Sequence, residues 1–176
     1  RAVETLQLGR AATIHAAIPY TSAVLAETGQ QGAAAGALVP AAFLATAPDG
    51  FPVTGTLDSL PIRAKQAVAR GASTLEARAA ASSWLSGVAL TMLADTRRSI
   101  YEADMVQRPR VTGYVRMLNA PSCPRCVILA GKRFLWNQGF QRHPRCDCIH
   151  IPASEALAGD LTTDPYAYFN SMSEKE

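Results

Sequence analysis

All four cysteines of the chain, Cys123, Cys126, Cys146 and Cys148, crowd into one short stretch, and two of its three histidines, His143 and His150, stand in the same stretch. Soft donors set this close in sequence limit what the segment can become. A C-x-x-C turn aims two sulfurs at one point, and the H-P-x-C and C-x-C pairs that follow can supply the remaining donors of a tetrahedral zinc ion. Sixteen residues separate Cys126 from His143, a loop of the length found between zinc knuckles. Six donors compete for four places. Cys123 and Cys126 are fixed by their spacing, His143 with Cys146 forms an H-x-x-C partner, and Cys146 with Cys148 forms a rival pair. His150 is the outsider. The candidate ligands are therefore Cys123, Cys126, His143, Cys146 and Cys148, and spacing leaves open which four bind.

Two other uses of the cysteines fit less well. A redox C-x-x-C belongs in a βαβ context, which is absent around it. A disulfide framework spreads its cysteines along a chain, whereas here they are confined to one region. A structural ion also fits better than a catalytic one. Catalytic zinc keeps a position open for water and needs a general base nearby. The only acid between the ligands is Asp147, set between two cysteines and expected to point away from them, and the H-x-E signature of zinc deaminases is missing. No catalytic residues are assigned, and the chain is not expected to be an enzyme. Coordination in a region too poor in apolar residues to fold alone would contribute on the order of 10 kcal/mol to folding.

The rest of the chain is read from its punctuation. Val3, Leu6, Arg10 and Ile14 share a face of a helix over 1–17, closed by Pro19. Residues 20–56 carry clustered turn signals and are expected to be extended and loop-rich. Asp58 and Gly71 bracket a short helix over 58–70. Ser73-Thr74-Leu75-Glu76 matches a capping box and opens the strongest helix, whose stripe of Leu85, Val88, Ala89, Met92, Leu93, Thr96 and Ile100 carries it to about Met105. Asp95, Arg97, Arg98 and Glu102 fall off that stripe and are expected on a solvated face. Strands are expected over 110–118, 132–136 and 146–151, the last placing Cys146, Cys148 and His150 on one side. Partial helix near 154–158 and a frayed end complete the chain. The fold class is thus mainly α with a small β element: a long-helix N-terminal part, then a compact zinc-knuckle region. The segments are an arm over 1–56, a helical region over 57–109, the zinc region over 110–152 and a tail over 153–176.

Alanine dominates the apolar content and aromatics make up 7% of the chain, so the helical half should pack in thin layers. The net charge of +3 is too mild to argue for nucleic acid or a membrane surface. No uninterrupted run of eighteen apolar residues offers a transmembrane helix, and no membrane partner is expected. The chain begins at Arg1 without an initiator Met, which suggests a processed or trimmed piece. Phe134, Trp136 and Phe140 inside the ligand loop would cap the metal. Lys132, Arg133, Arg142 and Arg145 around them would form a solvated rim, or a surface that stacks on and pairs with nucleic acid.

The segment PSCPRCVILAGKRFLWNQGFQRHPRCDCIHIP resembles the C-terminal motif of the phage Mu F-like (MuF) minor head proteins in the form carried by tailed phages of actinobacteria. There a C-x-x-C precedes a G-K-x-[FY] element and an H-P-x-C-x-C segment. Here these are Cys123 and Cys126, Gly131-Lys132-Arg133-Phe134, and His143-Pro144-Arg145-Cys146-Asp147-Cys148. The resemblance covers about thirty residues, with the long helix leading into GYVRML also similar. The first seventy residues carry no matching motif. Many relatives have Arg where Asp147 stands. The resemblance implies a virion component in several copies around the portal, in the head interior or at the portal vertex and assembled in the host cytoplasm. Its partners would be the portal protein, the major capsid protein or both, with packaged DNA as a further contact. Some members are fused to a maturation protease or an effector domain, which would suit a chain without an initiator Met. The competing class is a zinc-containing nucleic-acid module or HNH-like nuclease. It needs a catalytic histidine with a second metal site, and only His15 and His150 remain for that role.

Overall fold

A computed structural model describes residues 1–119, 122–139, 143, 146, 148–159 and 161–171, with the backbone of residue 160 as well. In chain order the helices are α1 (Ala2–Ala17), α2 (Tyr20–Glu27), α3 (Ala42–Ala45), α4 (Val53–Ala69) and α5 (Thr74–Val106). Then come β1 (Gly113–Met117), α6 (Pro124–Ala130), β2 (Arg133–Leu135), β3 (Ile149–Ala153), α7 (Ala158–Leu161) and α8 (Pro165–Ser171). The protein is mainly helical with one small antiparallel sheet. Its contacts divide it into two units. One holds Arg1–His15, Val39–Ser99 and His143–Cys146, and the other Ala16–Leu38, Ile100–Arg142 and Asp147–Glu176.

The first unit is built on α5. The capping box forms as the sequence requires: the Ser73 hydroxyl accepts from the Glu76 backbone N–H, and the Glu76 carboxylate accepts from both the backbone N–H and the hydroxyl of Ser73. These bonds hold the Glu76 carboxyl below its ordinary value, the Ser73 hydroxyl contributing most. The helix runs 33 residues, about 50 Å at ~1.5 Å per residue. Its Met92 packs with Leu6 of α1, Val53 and Leu57 of α4, and Ala47.

Helix α4 begins earlier than expected. It starts at Val53 after the extended Pro52, so Asp58 is interior and is not its N-cap. Burial of Val53 and Leu57 explains the extra turn, and the helix carries Pro61 inside it despite the missing donor. It stops where Gly71 was expected to stop it. Gly71 takes φ +97°, its N–H donates to Val68 O, and the Ala72 N–H donates to Ala67 O, a Schellman ending.

Arg10 of α1 is 1% exposed. Its guanidinium donates to Thr96 Oγ1, Gln7 Oε1 and the carbonyls of Phe43 and Thr46, so one buried side chain ties the loop around α3 to the long helix. Burial lowers its pKa from the ordinary arginine value, and the charge of Asp49 works against that.

In the second unit the sheet order is β2-β1-β3, all antiparallel. Gly113 pairs with Leu135 and Ala153, and a Cβ there would stand 2.2 Å from the Phe134 carbonyl oxygen, so only glycine lets β2 approach. Tyr114, Val111, Met105 and Leu25 form one core cluster, with Phe134 stacked on Tyr114. Val115, Ala153 and Ala158 form another.

Residues 20–56 are not uniformly loop-rich. Helix α2 buries Thr21 and Leu25 and ends on Gly29 at φ +65°, with the Gln30 N–H donating to Leu25 O. The strands sit inside the expected ranges, except that β3 starts at Ile149 and runs on to Ala153. The tail holds α7 and α8 in place of helix near 154–158. Asp164 caps α8, accepting from the N–H groups of Tyr166 and Ala167. The frayed end expected over 172–176 lies outside the described residues.

Two outcomes are expected. Arg10→Leu leaves the carbonyls of Phe43 and Thr46 without their donor and should lower stability by on the order of 2 kcal/mol or more, read as the urea midpoint. Glu76 is lowered in the folded state, so its contribution is full above the ordinary carboxyl range and is lost as pH falls through its folded value. Glu76→Gln should therefore flatten the acid limb of the stability curve and leave the alkaline limb unchanged.

Candidate metal centre

The first donor pair is set by a helix start. Cys123 has extended backbone, φ −66° and ψ 152°, and serves as the N-cap of α6, followed by Pro124. The Cys126 N–H donates to Cys123 Sγ at 3.4 Å, and the Val127 N–H donates to Cys123 O at 3.1 Å. The C-x-x-C, read from sequence as a turn, is thus the opening of a helix. Buried Val127 and Ala130 hold that helix in place. Residues three apart lie on one helix face, so both sulfurs present together.

His143, Cys146 and Cys148, the second set, each lie outside helix and strand. The Cys146 N–H donates to His143 O at 3.1 Å, closing a turn that brings H-x-x-C donors to one side. Cys148 immediately precedes β3 and is fully buried. The Sγ atoms of Cys123 and Cys126 and a ring nitrogen of His143 lie within 4.8 Å of one another. So do the Sγ atoms of Cys126, Cys146 and Cys148. Cys126 belongs to both groups. No disulfide joins any of the four cysteines. Ligands of a tetrahedral ion with ~2.3 Å metal–sulfur bonds stand about 3.8 Å apart, within the observed ceiling. The five sequence candidates thus fall into two overlapping groups of three, a donor arrangement compatible with a bound metal ion.

His150, the sixth donor, belongs to neither group among the described residues. It is buried, with its ring stacked on Tyr114 at 4.1 Å and its Nδ1 3.6 Å from Glu102 Oε1. Its carbonyl accepts from the Tyr20 hydroxyl. Register with Arg116 across β1 and β3 sets it in the interior of the second unit.

The charges off the α5 stripe are a correction. Arg98 is 1% exposed and Asp95, Arg97 and Glu102 are half-buried, so that face is not solvated. Arg98 donates to Asp95 Oδ1 at 2.8 Å and to the carbonyl of Cys146. Sequence reasoning missed this residue, although an acid and a base three apart on a helix signal a pair.

Phe134 packs in the Tyr114 cluster and Trp136 is exposed. Arg133 donates to Thr112 Oγ1 and Lys132 is exposed. The readings of Phe140 as part of the cap, of Arg142 and Arg145 in the basic rim, of Pro144 in the motif, and of Asp147 pointing away all fall on residues outside those described.

Compared with protein-family models, curated proteins and solved structures, the chain matches none. Among the described residues no helix is long and apolar enough to cross a membrane.

Because Cys126 is common to both groups, Cys126→Ser should abolish metal retention. Cys148→Ser leaves the other group intact and should reduce retention less. Metal-to-protein ratios by elemental analysis check the order.

Proposed function

We propose that the chain is a minor head protein of a tailed phage, of the MuF-like type, whose C-terminal region is pinned by one structural Zn²⁺. It acts by binding the portal or the major capsid protein inside the head, and does not catalyse a reaction. The observation that carries this is a coincidence of two things. The thirty residues that resemble the MuF motif are the residues whose thiols and imidazole converge, from both ends of the motif. Thiolate with imidazole is the donor set of structural zinc, and three of these sulfurs are buried, as a closed site requires.

The long helix suits a partner-binding role. Ala80, Ser83, Gly87 and Thr91 run along one side of α5 and line a cavity of about 870 Å³ with Trp84 and Met92. Small side chains there permit close approach of another helix. Burial of His150 against Tyr114 leaves it poorly placed as the catalytic histidine of a nuclease.

The function is tested by co-expression with a portal protein. Co-purification with the portal and no retention on DNA are expected. DNA retention that falls steeply with salt, or cleavage on addition of Mg²⁺, would instead mark a nucleic-acid module. The zinc assignment has its own test. Cys126→Ser, which removes the donor common to both groups, should release the ion and expose residues beyond about Arg110 to protease, while α5 keeps its helical circular dichroism. An unchanged digestion map would mean that the ion is not structural.

A further inference from the structure

We propose that Arg98 is a positioning residue for the metal centre, holding the Cys146 ligand in place from the long helix. The inference rests on the zinc reading above and goes beyond it by assigning a role to a residue outside the motif.

Four observations support it. Arg98 is 1% exposed, in a chain position where its charge could as easily have been solvated. One end of its guanidinium is fixed, because Nη1 donates to Asp95 Oδ1 at 2.8 Å from one turn earlier on α5. The other end, Nη2, donates to the carbonyl of Cys146, forty-eight residues away in sequence. Finally, the Cys146 N–H is itself committed to His143 O. The backbone of Cys146 is therefore held on both sides, at its N–H by the turn that brings His143 round and at its carbonyl by Arg98. With both peptide groups fixed, the direction of the Cα–Cβ bond is fixed, and so is the place where Sγ can stand.

That placement matters because no regular element supplies it. Cys123 and Cys126 are oriented by the start of α6, and Cys148 by the strand that follows it. Cys146 lies in neither helix nor strand. Arginine suits the task better than lysine. Its planar fork reaches a carboxylate and a carbonyl at once, and little freedom is lost in holding both. Groups that orient metal ligands from outside typically matter about 10- to 100-fold in affinity.

The experiment is zinc competition against a chromogenic chelator on the full chain. Wild type is compared with Arg98→Met, Arg98→Lys and Cys146→Ser, each also melted in metal-free and zinc-loaded forms. Arg98→Met should bind zinc roughly 10- to 100-fold more weakly. Arg98→Lys, which keeps the charge but loses the fork, should fall between it and wild type. With Co²⁺ in place of zinc, the visible ligand-field bands of the arginine variants should shift, reporting altered geometry about the ion. Wild-type affinity and an unshifted spectrum in the arginine variants, with weakened binding in Cys146→Ser, would overturn the role of Arg98 and leave the zinc reading standing. An arginine that serves only packing would lower both melting points equally and leave affinity unchanged, which also overturns it. If Arg98→Met does not fold, the affinity of Arg98→Lys decides. Failure of wild type to bind zinc would overturn both proposals.

Discussion

The convergence of donors on Cys126 is the constraint from which the C-terminal half follows. Its sulfur stands within ligand range of both Cys123 with His143 and Cys146 with Cys148. Among the described residues, Val115, Ala153 and Ala158 form one core cluster near the motif, and Leu25, Met105, Val111 and Tyr114 another. A sheet with a three-residue edge strand is marginal alone. Donors from both ends of the segment are gathered to one place, where a bound metal ion would supply a cross-link.

A second theme is the use of buried arginine as a fastener. Arg10 ties the loop around α3 to α5, and Arg98 ties Cys146 to α5. Arg108 donates to Asp104, to the Ser22 hydroxyl and to the carbonyl of Gly32, fastening the chain that leaves α2. In each case irregular backbone is held by a guanidinium fork projecting from a helix or its end. This is a physical answer to an alanine-rich composition. Thin apolar layers cannot grip loops, whereas a planar cation with five donors can satisfy several carbonyls that would otherwise be buried without partners.

What was legible in the sequence divides along the same line. Local signals were readable: the Ser73–Glu76 box, the Gly71 stop, the apolar stripe of α5 and the spacing of the cysteines. Helix α2 was legible in principle, since Gly29 marks its end as Gly71 marks that of α4, but its eight residues lie in a run of turn signals that masks a short period. The early start of α4 was not legible, because the burial of Val53 and Leu57 against Leu6 and Met92 depends on partners far along the chain. Asp164-Pro165 is a readable cap for α8. Arg98 could not have been placed by periodicity at all. It lies off the apolar stripe and is buried by what it binds, a carbonyl forty-eight residues away.

The two kinds of fastening answer differently to acid. Thiolates and imidazole bind an ion only when they have given up their protons, so acid competes for them directly. A guanidinium holds its proton throughout the biological range, and the carbonyls it grips do not titrate there. Were an ion held by these donors, mild acidification would release it while the bonds from Arg10, Arg98 and Arg108 to backbone carbonyls stay closed.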